Sequence, residues 1–166
     1  MHYVLNRTAH RVGQSSATLA CMQVRLRQAC VRPEAFKLLA PSLPKIAGLR
    51  ILDLQGNELG DVGVRHLCAA LPAATALQLL DLSSNGLGAS AAAMLAAALP
   101  RTPRLHGISL ASNPLLDEGV CVLASKLLGT DNSVIQVCLS SAFFGIPHLQ
   151  LFRCATIRFG TEHTCV

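Results

Sequence analysis

Residues 49–59 read Leu49-Arg-Ile-Leu52-Asp-Leu54-Gln-Gly-Asn57-Glu-Leu59, and the chain repeats this stretch twice more without a gap. The second copy is Leu77-Gln-Leu-Leu80-Asp-Leu82-Ser-Ser-Asn85-Gly-Leu87, and the third is Leu105-His-Gly-Ile108-Ser-Leu110-Ala-Ser-Asn113-Pro-Leu115. The asparagines stand at positions 57, 85 and 113, a constant step of 28 residues. A fixed step of this length is the signature of a repeat protein in which each unit packs on its neighbours.

The segments between these copies keep the same spacing. One column of leucines contains Leu39, Leu67, Leu95 and Leu123, and a second contains Leu43, Leu71, Leu99 and Leu127. A proline follows three members of the second column, as Pro44, Pro72 and Pro100. Fainter copies over residues 21–31 and 134–144 carry Ala29 and Ala142 in the asparagine column. We therefore divide the chain into an N-terminal segment or partial cap (1–20), leucine-rich repeats (21–144) and a non-repeat tail (145–166).

Each repeat predicts a short strand followed by a helix. In Leu-x-x-Leu-x-Leu the leucines point to the core and the intervening residues point outward. The asparagine closes the strand, and its amide can bond backbone groups of neighbouring turns that would otherwise be buried without partners. Asp61 and Asp117 suit helix starts, as does Pro33 in a first turn. The three prolines end the helices.

Stacking such units predicts a curved α/β solenoid. Neighbouring strands lie about 4.8 Å apart, whereas packed helices need about 8–10 Å. The parallel strands therefore line a concave face and the helices a convex face, in a short horseshoe arc. The structural residues of this arc are Leu52, Leu54, Asn57, Leu80, Leu82, Asn85, Ile108, Leu110 and Asn113.

The pattern Leu-x-x-Leu-x-Leu-x-x-Asn-x-Leu at 28 residues resembles the ribonuclease-inhibitor-like class of leucine-rich repeat proteins. The resemblance covers roughly residues 21–144. It implies the horseshoe fold and a role in protein binding, because members of the class share a scaffold and little chemistry.

Composition excludes several function classes. Only 14% of the residues are charged, and the net charge of +5 is not gathered in a Lys/Arg tract, so we expect no nucleic-acid binding. No apolar run of about 18 residues could span a membrane. Seven scattered cysteines without a Cys-x-x-Cys pair predict buried, reduced thiols in a cytoplasmic protein, with the nucleus as a further location.

No catalytic or metal-binding pattern is visible in the sequence. There is no Gly-x-Ser-x-Gly elbow for a serine nucleophile and no His-x-x-x-His or Cys/His cluster at zinc spacing. The glycines serve turns and helix packing rather than a phosphate-binding loop. We predict a protein that is not an enzyme and needs no cofactor.

The outward positions of the strand face are the candidate partner-binding residues. They are Arg25, Arg50, Ile51, Asp53, Leu79, Asp81, His106 and Ser109. Asp53 and Asp81 share a column, so their carboxylates should stand about 5 Å apart. A basic partner group could relieve the repulsion, or Arg25 and Arg50 could neutralise the pair. Alternatively, both aspartates are repeat-consensus residues kept solvated.

We predict an intracellular module that binds a protein partner of unknown identity through the concave face. One alternative is regulation of a small GTPase, because a member of the resembling class activates the GTPase Ran. Another is a truncated or alternative product of a larger repeat protein without a role of its own. For residues 145–166 we expect a poorly ordered tail that replaces further repeats, with a divergent cap as the alternative.

Overall fold

The structure is a computed structural model that describes residues 22–127, 135–139 and 156–159. Its strands are β1 (Met22–Arg25), β2 (Leu49–Asp53), β3 (Leu79–Asp81), β4 (Gly107–Ser109), β5 (Ile135–Cys138) and β6 (Thr156–Phe159). Its helices are α1 (Pro33–Leu39), α2 (Gly60–Ala70), α3 (Ala89–Ala98) and α4 (Leu116–Leu127). Strand and helix alternate through the repeats, so each unit contributes one of each, which confirms the predicted α/β solenoid.

Within the described residues, the strands form one six-stranded sheet in chain order. Strands β1 to β5 pair in parallel. Partners between β2, β3 and β4 stand 28 positions apart, as Leu52 and Leu80 do, whereas partners between β4 and β5 stand 29 apart. Each parallel pair is joined through a helix, because two parallel strands need a long crossover. The helices therefore lie together on one side of the sheet, and among the described residues no element covers the other face.

The core is built from the repeated apolar columns. The leucines that directly follow β2 and β3, Leu54 and Leu82, are completely buried, and helix leucines such as Leu67 and Leu95 close the core from the other side. Every residue assigned to the structural repeat is buried, including the three asparagines. Burying a leucine contributes about 1.5–3 kcal/mol relative to leaving it exposed. The same columns in every repeat therefore supply most of the stability.

The asparagines bond backbone groups of two repeats, as predicted. Asn57 Nδ2 donates to the carbonyls of Leu54 and Leu26 at 2.7 and 2.8 Å, and Oδ1 accepts from the N–H groups of Ala29 and Val31 at 3.1 and 3.0 Å. Leu26, Ala29 and Val31 belong to the preceding repeat. One amide side chain thus satisfies buried backbone groups on both sides of a repeat boundary.

The residues predicted to begin and end the helices do so only in part. Pro33 opens α1. Asp61 stands in the first turn of α2, but its Oδ1 accepts from Gly88 N at 2.8 Å, at the start of the next helix. The prolines do not end helical structure at once, because each lies in a 3-10 turn that extends its α-helix. These turns are Ala40–Lys45, Leu71–Ala73 and Leu99–Arg101.

One described segment of the tail that the sequence predicts to be poorly ordered, residues 156–159, is part of the sheet. Thr156–Phe159 forms strand β6, which pairs antiparallel with β5, and Ile157 lies opposite Val137. The repeat pattern carries no signal of this strand, because an antiparallel edge strand does not follow the repeat. The predicted N-terminal segment 1–20 and the rest of the tail lie outside the described residues.

Candidate functional site

The uncovered face of the sheet carries two parallel rows of outward residues. Pairing between the strands aligns Gln23, Ile51, Leu79 and Gly107 in one row and Arg25, Asp53, Asp81 and Ser109 in the other. Neighbours in a row lie about 4.8 Å apart, the spacing of paired strands. The rows bring six of the eight predicted binding residues onto one continuous surface.

The first row is apolar at its centre. Leu79 is 42% exposed, one of the few large apolar side chains on the described surface, and Ile51 beside it is half-buried. Leu79 lies over Gly107, since a Cβ added to that glycine would stand 2.5 Å from Leu79 Cδ2. The missing side chain at position 107 therefore lets Leu79 lie flat across the neighbouring strand.

In the second row, the buried carboxylate of Asp53 pairs with the exposed guanidinium of Arg27. Asp53 is only 3% exposed, and its Oδ2 accepts from Arg27 Nε. Its Oδ1 accepts from Gln55 N at 3.3 Å. The carboxylate raises the pKa of the Arg27 guanidinium, first through this hydrogen bond and then through its charge. Asp53 is thus neither solvated nor free for a partner, because Arg27 covers it.

Neutralisation by Arg25 or Arg50 is not what the structure shows. Arg25 is exposed and donates to Gln23 Oε1 at 2.8 Å. Arg50 is half-buried and makes no ion pair within the described part of the chain. Arg27 is not among the predicted binding residues, because a local pattern could not show that its side chain reaches the next strand.

The second row continues as a chain of hydrogen bonds. Asp81 Oδ1 accepts from Ser83 N at 2.9 Å and from Ser83 Oγ at 2.6 Å. Ser83 Oγ lies 2.7 Å from Ser109 Oγ. The Asp81 carboxylate, which is half-buried, is therefore held by its own strand end and linked to the next repeat. It remains the carboxylate of this row that a partner can reach.

Arg50 and His106 lie at the start of the strands, on either side of Gln78. Gln78 N donates to the Arg50 carbonyl at 2.8 Å, and His106 N donates to the Gln78 carbonyl at 3.1 Å. His106 is exposed, with Nδ1 3.2 Å from the Arg104 carbonyl. These two residues therefore border the face rather than occupy its centre.

The described cysteines differ in exposure, and the described residues offer no metal site. Cys30 and Cys121 are exposed free thiols, contrary to the prediction that the cysteines are buried, whereas burial raises the pKa of Cys68 to about 12. Residues 22–127, 135–139 and 156–159 contain no cluster of His, Cys, Asp or Glu that could hold a metal ion. In the same ranges no helix is long and apolar enough to cross a membrane.

Comparison with known families agrees with this architecture. A family model described as a leucine-rich repeat matches residues 49–68 and 74–96, which contain two of the repeats with their strands and helices. Repeats of this kind generally mediate protein–protein interaction. A comparison with curated proteins returns no match.

Proposed function

We propose that this α/β leucine-rich repeat solenoid is a non-catalytic protein-binding module and that its strand face receives the partner. The observation that carries the proposal is the exposed Leu79, which lies across Gly107 beside Ile51 in the middle of an uncovered sheet. Leu79 and Ile51 form a contiguous apolar patch rimmed by polar groups, and such patches mark sites of protein–protein contact.

The surroundings of Leu79 complete such an interface. Asp81 and Ser109 lie alongside the apolar row as hydrogen-bonding groups, and Arg25 stands exposed at its end. The backbone of all these positions belongs to a hydrogen-bonded sheet, so binding orders few groups and costs little conformational entropy. The partner that fits presents an aliphatic or aromatic side chain over Leu79 and Ile51, with a hydrogen-bond donor toward Asp81.

Two leucines provide a matched test. Leu79 is 42% exposed on the strand face, and Leu38 is 79% exposed on α1, on the helix side. A photoreactive amino acid placed at either position identifies the proteins that contact that side. We expect partners crosslinked from position 79, and we expect the Leu79→Arg variant to retain them at least tenfold less than wild type. That loss corresponds to about 1.4 kcal/mol or more.

The Leu38→Arg variant should retain these partners at the wild-type level, because it changes exposure and charge in the same way on the opposite side. Equal retention by Leu79→Arg and Leu38→Arg would contradict the proposal. Asp81→Lys is a second strand-face variant, whereas Asp53 is a poor choice because its carboxylate is buried and already bonded to Arg27 and to Gln55 N.

We further propose that the chain is of the ribonuclease-inhibitor-like class and acts in the cytoplasm. The pairing of residues 28 positions apart, with a full helix in each crossover, supports the class. Fluorescence imaging of a tagged full chain tests the location, and secretion into the medium would contradict it.

A further inference from the structure

The three buried asparagines of the repeat column are held unequally. Asn57 Oδ1 accepts from two backbone N–H groups at 3.1 and 3.0 Å, and Asn113 Oδ1 accepts from two at 2.9 and 3.1 Å. Asn85 Oδ1 is buried and has no hydrogen-bond partner among the described residues. The Asn85 side chain is held through Nδ2, which donates to the carbonyls of Leu54 and Ser83 at 2.9 and 3.0 Å. Of the three, Asn85 therefore has the amide group that rotates at the lowest cost in hydrogen bonds.

The residue that follows each asparagine also differs. Glutamate follows Asn57, glycine follows Asn85 and proline follows Asn113. The nitrogen of proline carries no hydrogen and cannot close a neutral ring with the preceding side chain, whereas the side chain of glutamate crowds the nitrogen of its own residue. Glycine has no Cβ, and its backbone reaches conformations that are closed to other residues. Asn85 thus combines the weakest side-chain attachment with the least hindered neighbouring nitrogen.

The neighbouring glycine, Gly86, lies in the turn between β3 and α3. It is exposed and has a φ of 68°, and a Cβ placed on it would meet no atom within 4 Å. The Asn85 side chain, by contrast, is part of a residue that is 1% exposed. Water and hydroxide therefore reach the main chain at this turn, directly beside a buried amide group.

We propose that Asn85 is a deamidation site, at which the chain modifies itself through the nitrogen of Gly86. Solvent base removes the proton from Gly86 N, and this nitrogen attacks Asn85 Cγ. A bond forms between these two atoms, the bond from Cγ to Nδ2 breaks, and Nδ2 leaves as ammonia after taking a proton from solvent. Water then opens the five-membered ring at one of its two carbonyl carbons, which leaves aspartate or isoaspartate at position 85.

Both products remove the hydrogen bonds that the Asn85 side chain donates. A carboxylate has no N–H group, so the carbonyls of Leu54 and Ser83 lose the donor that Nδ2 provides. The new negative charge also stands beside these two carbonyl oxygens at a position that is 1% exposed, where an unpaired charge is costly. The reaction therefore destabilises the boundary between the repeats that contain β2 and β3.

Isoaspartate disturbs the main chain as well. The Asn85 N–H donates to Asn113 Oδ1 at 2.9 Å, and the Asn85 carbonyl accepts from Gly60 N at 3.0 Å. In isoaspartate the main chain runs through Cβ and Cγ, which inserts one carbon between these two groups. Both bonds cannot then persist while the neighbouring repeats keep their positions. A slow reaction at one residue thus loosens the solenoid toward the preceding and the following repeat.

Peptide mass spectrometry of the full chain tests the site. The folded chain is incubated at mildly alkaline pH and digested, and the peptides that contain Asn57, Asn85 and Asn113 are compared for conversion of an amide to an acid. A parallel sample unfolded in urea gives the rate at which Asn85 reacts without protection. We expect the folded chain to react at Asn85 within about a hundredfold of that rate, because only two side-chain hydrogen bonds must break. Asn57 and Asn113 should stay unconverted over the same time.

Two variants separate the reaction from its consequence. Gly86→Asp is the matched control, since aspartate tolerates a positive φ better than most residues and its side chain crowds the attacking nitrogen. We expect Asn85 to react at least tenfold more slowly in this variant. Asn85→Asp carries the charge of the product from the start, and its melting temperature should lie about 4 °C or more below that of wild type. Reacted wild-type chains, isolated by ion exchange through their additional negative charge, give the same measurement if Asn85→Asp does not fold.

Three results would overturn the proposal. Complete conversion of Asn85 in urea with none in the folded chain would show that the fold protects the site. Equal rates at Asn57 and Asn85 in the folded chain would show that neither the glycine nor the unpartnered oxygen matters. An unchanged melting temperature of the reacted chains would remove the structural consequence. Because Leu79 is unchanged in every sample and no partner is needed, a failure here is distinguishable from a failure of the strand-face proposal.

Discussion

At the residue scale, the repeated asparagines tie one unit to the next. Asn113 Nδ2 donates to the carbonyls of Leu110 and Leu82 at 3.0 and 2.9 Å, and its Oδ1 accepts from the N–H groups of Asn85 and Leu87 at 2.9 and 3.1 Å. Asn85 is less well satisfied, since its buried Oδ1 has no partner. Asparagines in the same column therefore make different numbers of hydrogen bonds to the backbone.

Replacing Asn113 by alanine should cost about 3 kcal/mol of the free energy of unfolding, because it leaves buried backbone donors and acceptors without partners. Urea denaturation of the full chain measures the loss. Asn85→Ala is the matched comparison, and we expect it to cost less, since it removes donor bonds to Leu54 and Ser83 but no accepted bond. A larger loss in Asn85→Ala would contradict the assignment.

The cysteines differ in reactivity for a physical reason. Burial raises the pKa of Cys68 to about 12, because the thiolate would lose its hydration, whereas Cys30 and Cys121 are exposed. At pH 8 about one Cys68 thiol in ten thousand is ionised, and the thiolate is the reactive form. We expect iodoacetamide to modify Cys30 and Cys121 before Cys68, as followed by peptide mass spectrometry.

The modification rate of Cys68 should keep rising tenfold per pH unit above pH 9, since a raised pKa keeps the thiol protonated until pH approaches 12. Alkaline unfolding is controlled by circular dichroism at each pH. A rate at Cys68 that levels off near pH 9 in the folded protein would show that the thiol is not desolvated.

At the scale of elements, α3 packs closely because it is built from alanines. It reads Ala-Ser-Ala-Ala-Ala-Met-Leu-Ala-Ala-Ala over Ala89–Ala98, and Ala91, Ala92 and Ala96 are buried. Its neighbour α4 approaches through Gly119. A Cβ added to that glycine would stand 3.1 Å from Ala92 Cβ and 3.2 Å from Ala89 Cα. Small side chains on both helices therefore set the distance between them.

Substituting leucine for Gly119 should separate α3 from α4 and cost about 1–3 kcal/mol of unfolding free energy, because the backbone of Ala89 cannot move aside as a side chain can. The control is Ala93→Leu, at an exposed position of α3, which should be close to neutral. Thermal denaturation compares the two variants. Equal melting temperatures would contradict the close packing.

At the scale of the whole molecule, the last strand of the described sheet pairs in the opposite direction to the others. Strands β1 to β5 pair in parallel, and β6 closes the row by antiparallel pairing with β5. Within a stack of repeats, each unit contacts mainly its neighbours, so a disturbance at one end remains local. Strand β6 covers an edge that would otherwise expose unpaired backbone groups.

Proline at position 157 or at position 158 tests this closing strand. Adjacent N–H groups of a strand point in opposite directions, so only one of the two donates toward β5. We expect one variant to raise hydrogen exchange in β5 at residues 135–138 and the other to be tolerated, with β2 and β3 unchanged in both. No change in either variant would mean that β6 does not protect β5.

The sequence was sufficient for the repeat architecture. Each leucine column meets the same surroundings in every unit, so one period predicts strands, helices, core and the parallel order of β1 to β5. The asparagine bonds also followed from chemistry, because a buried strand end needs a side chain that both donates and accepts. Strand β6 could not be predicted, since it does not share the period and its partner is remote in sequence.

The sequence predicted which face of the sheet carries the candidate site, but not which of its side chains are available to a partner. Alternation along the strands placed Leu79 and Asp81 outward, but the ion pair of Arg27 with Asp53 and the position of Leu79 over Gly107 depend on side chains of different repeats. By itself, the sequence determined which backbone each unit forms, because local spacing dictates burial. Only the tertiary structure decided which polar groups are already satisfied and which remain for a partner, because that depends on distances between strands 28 residues apart.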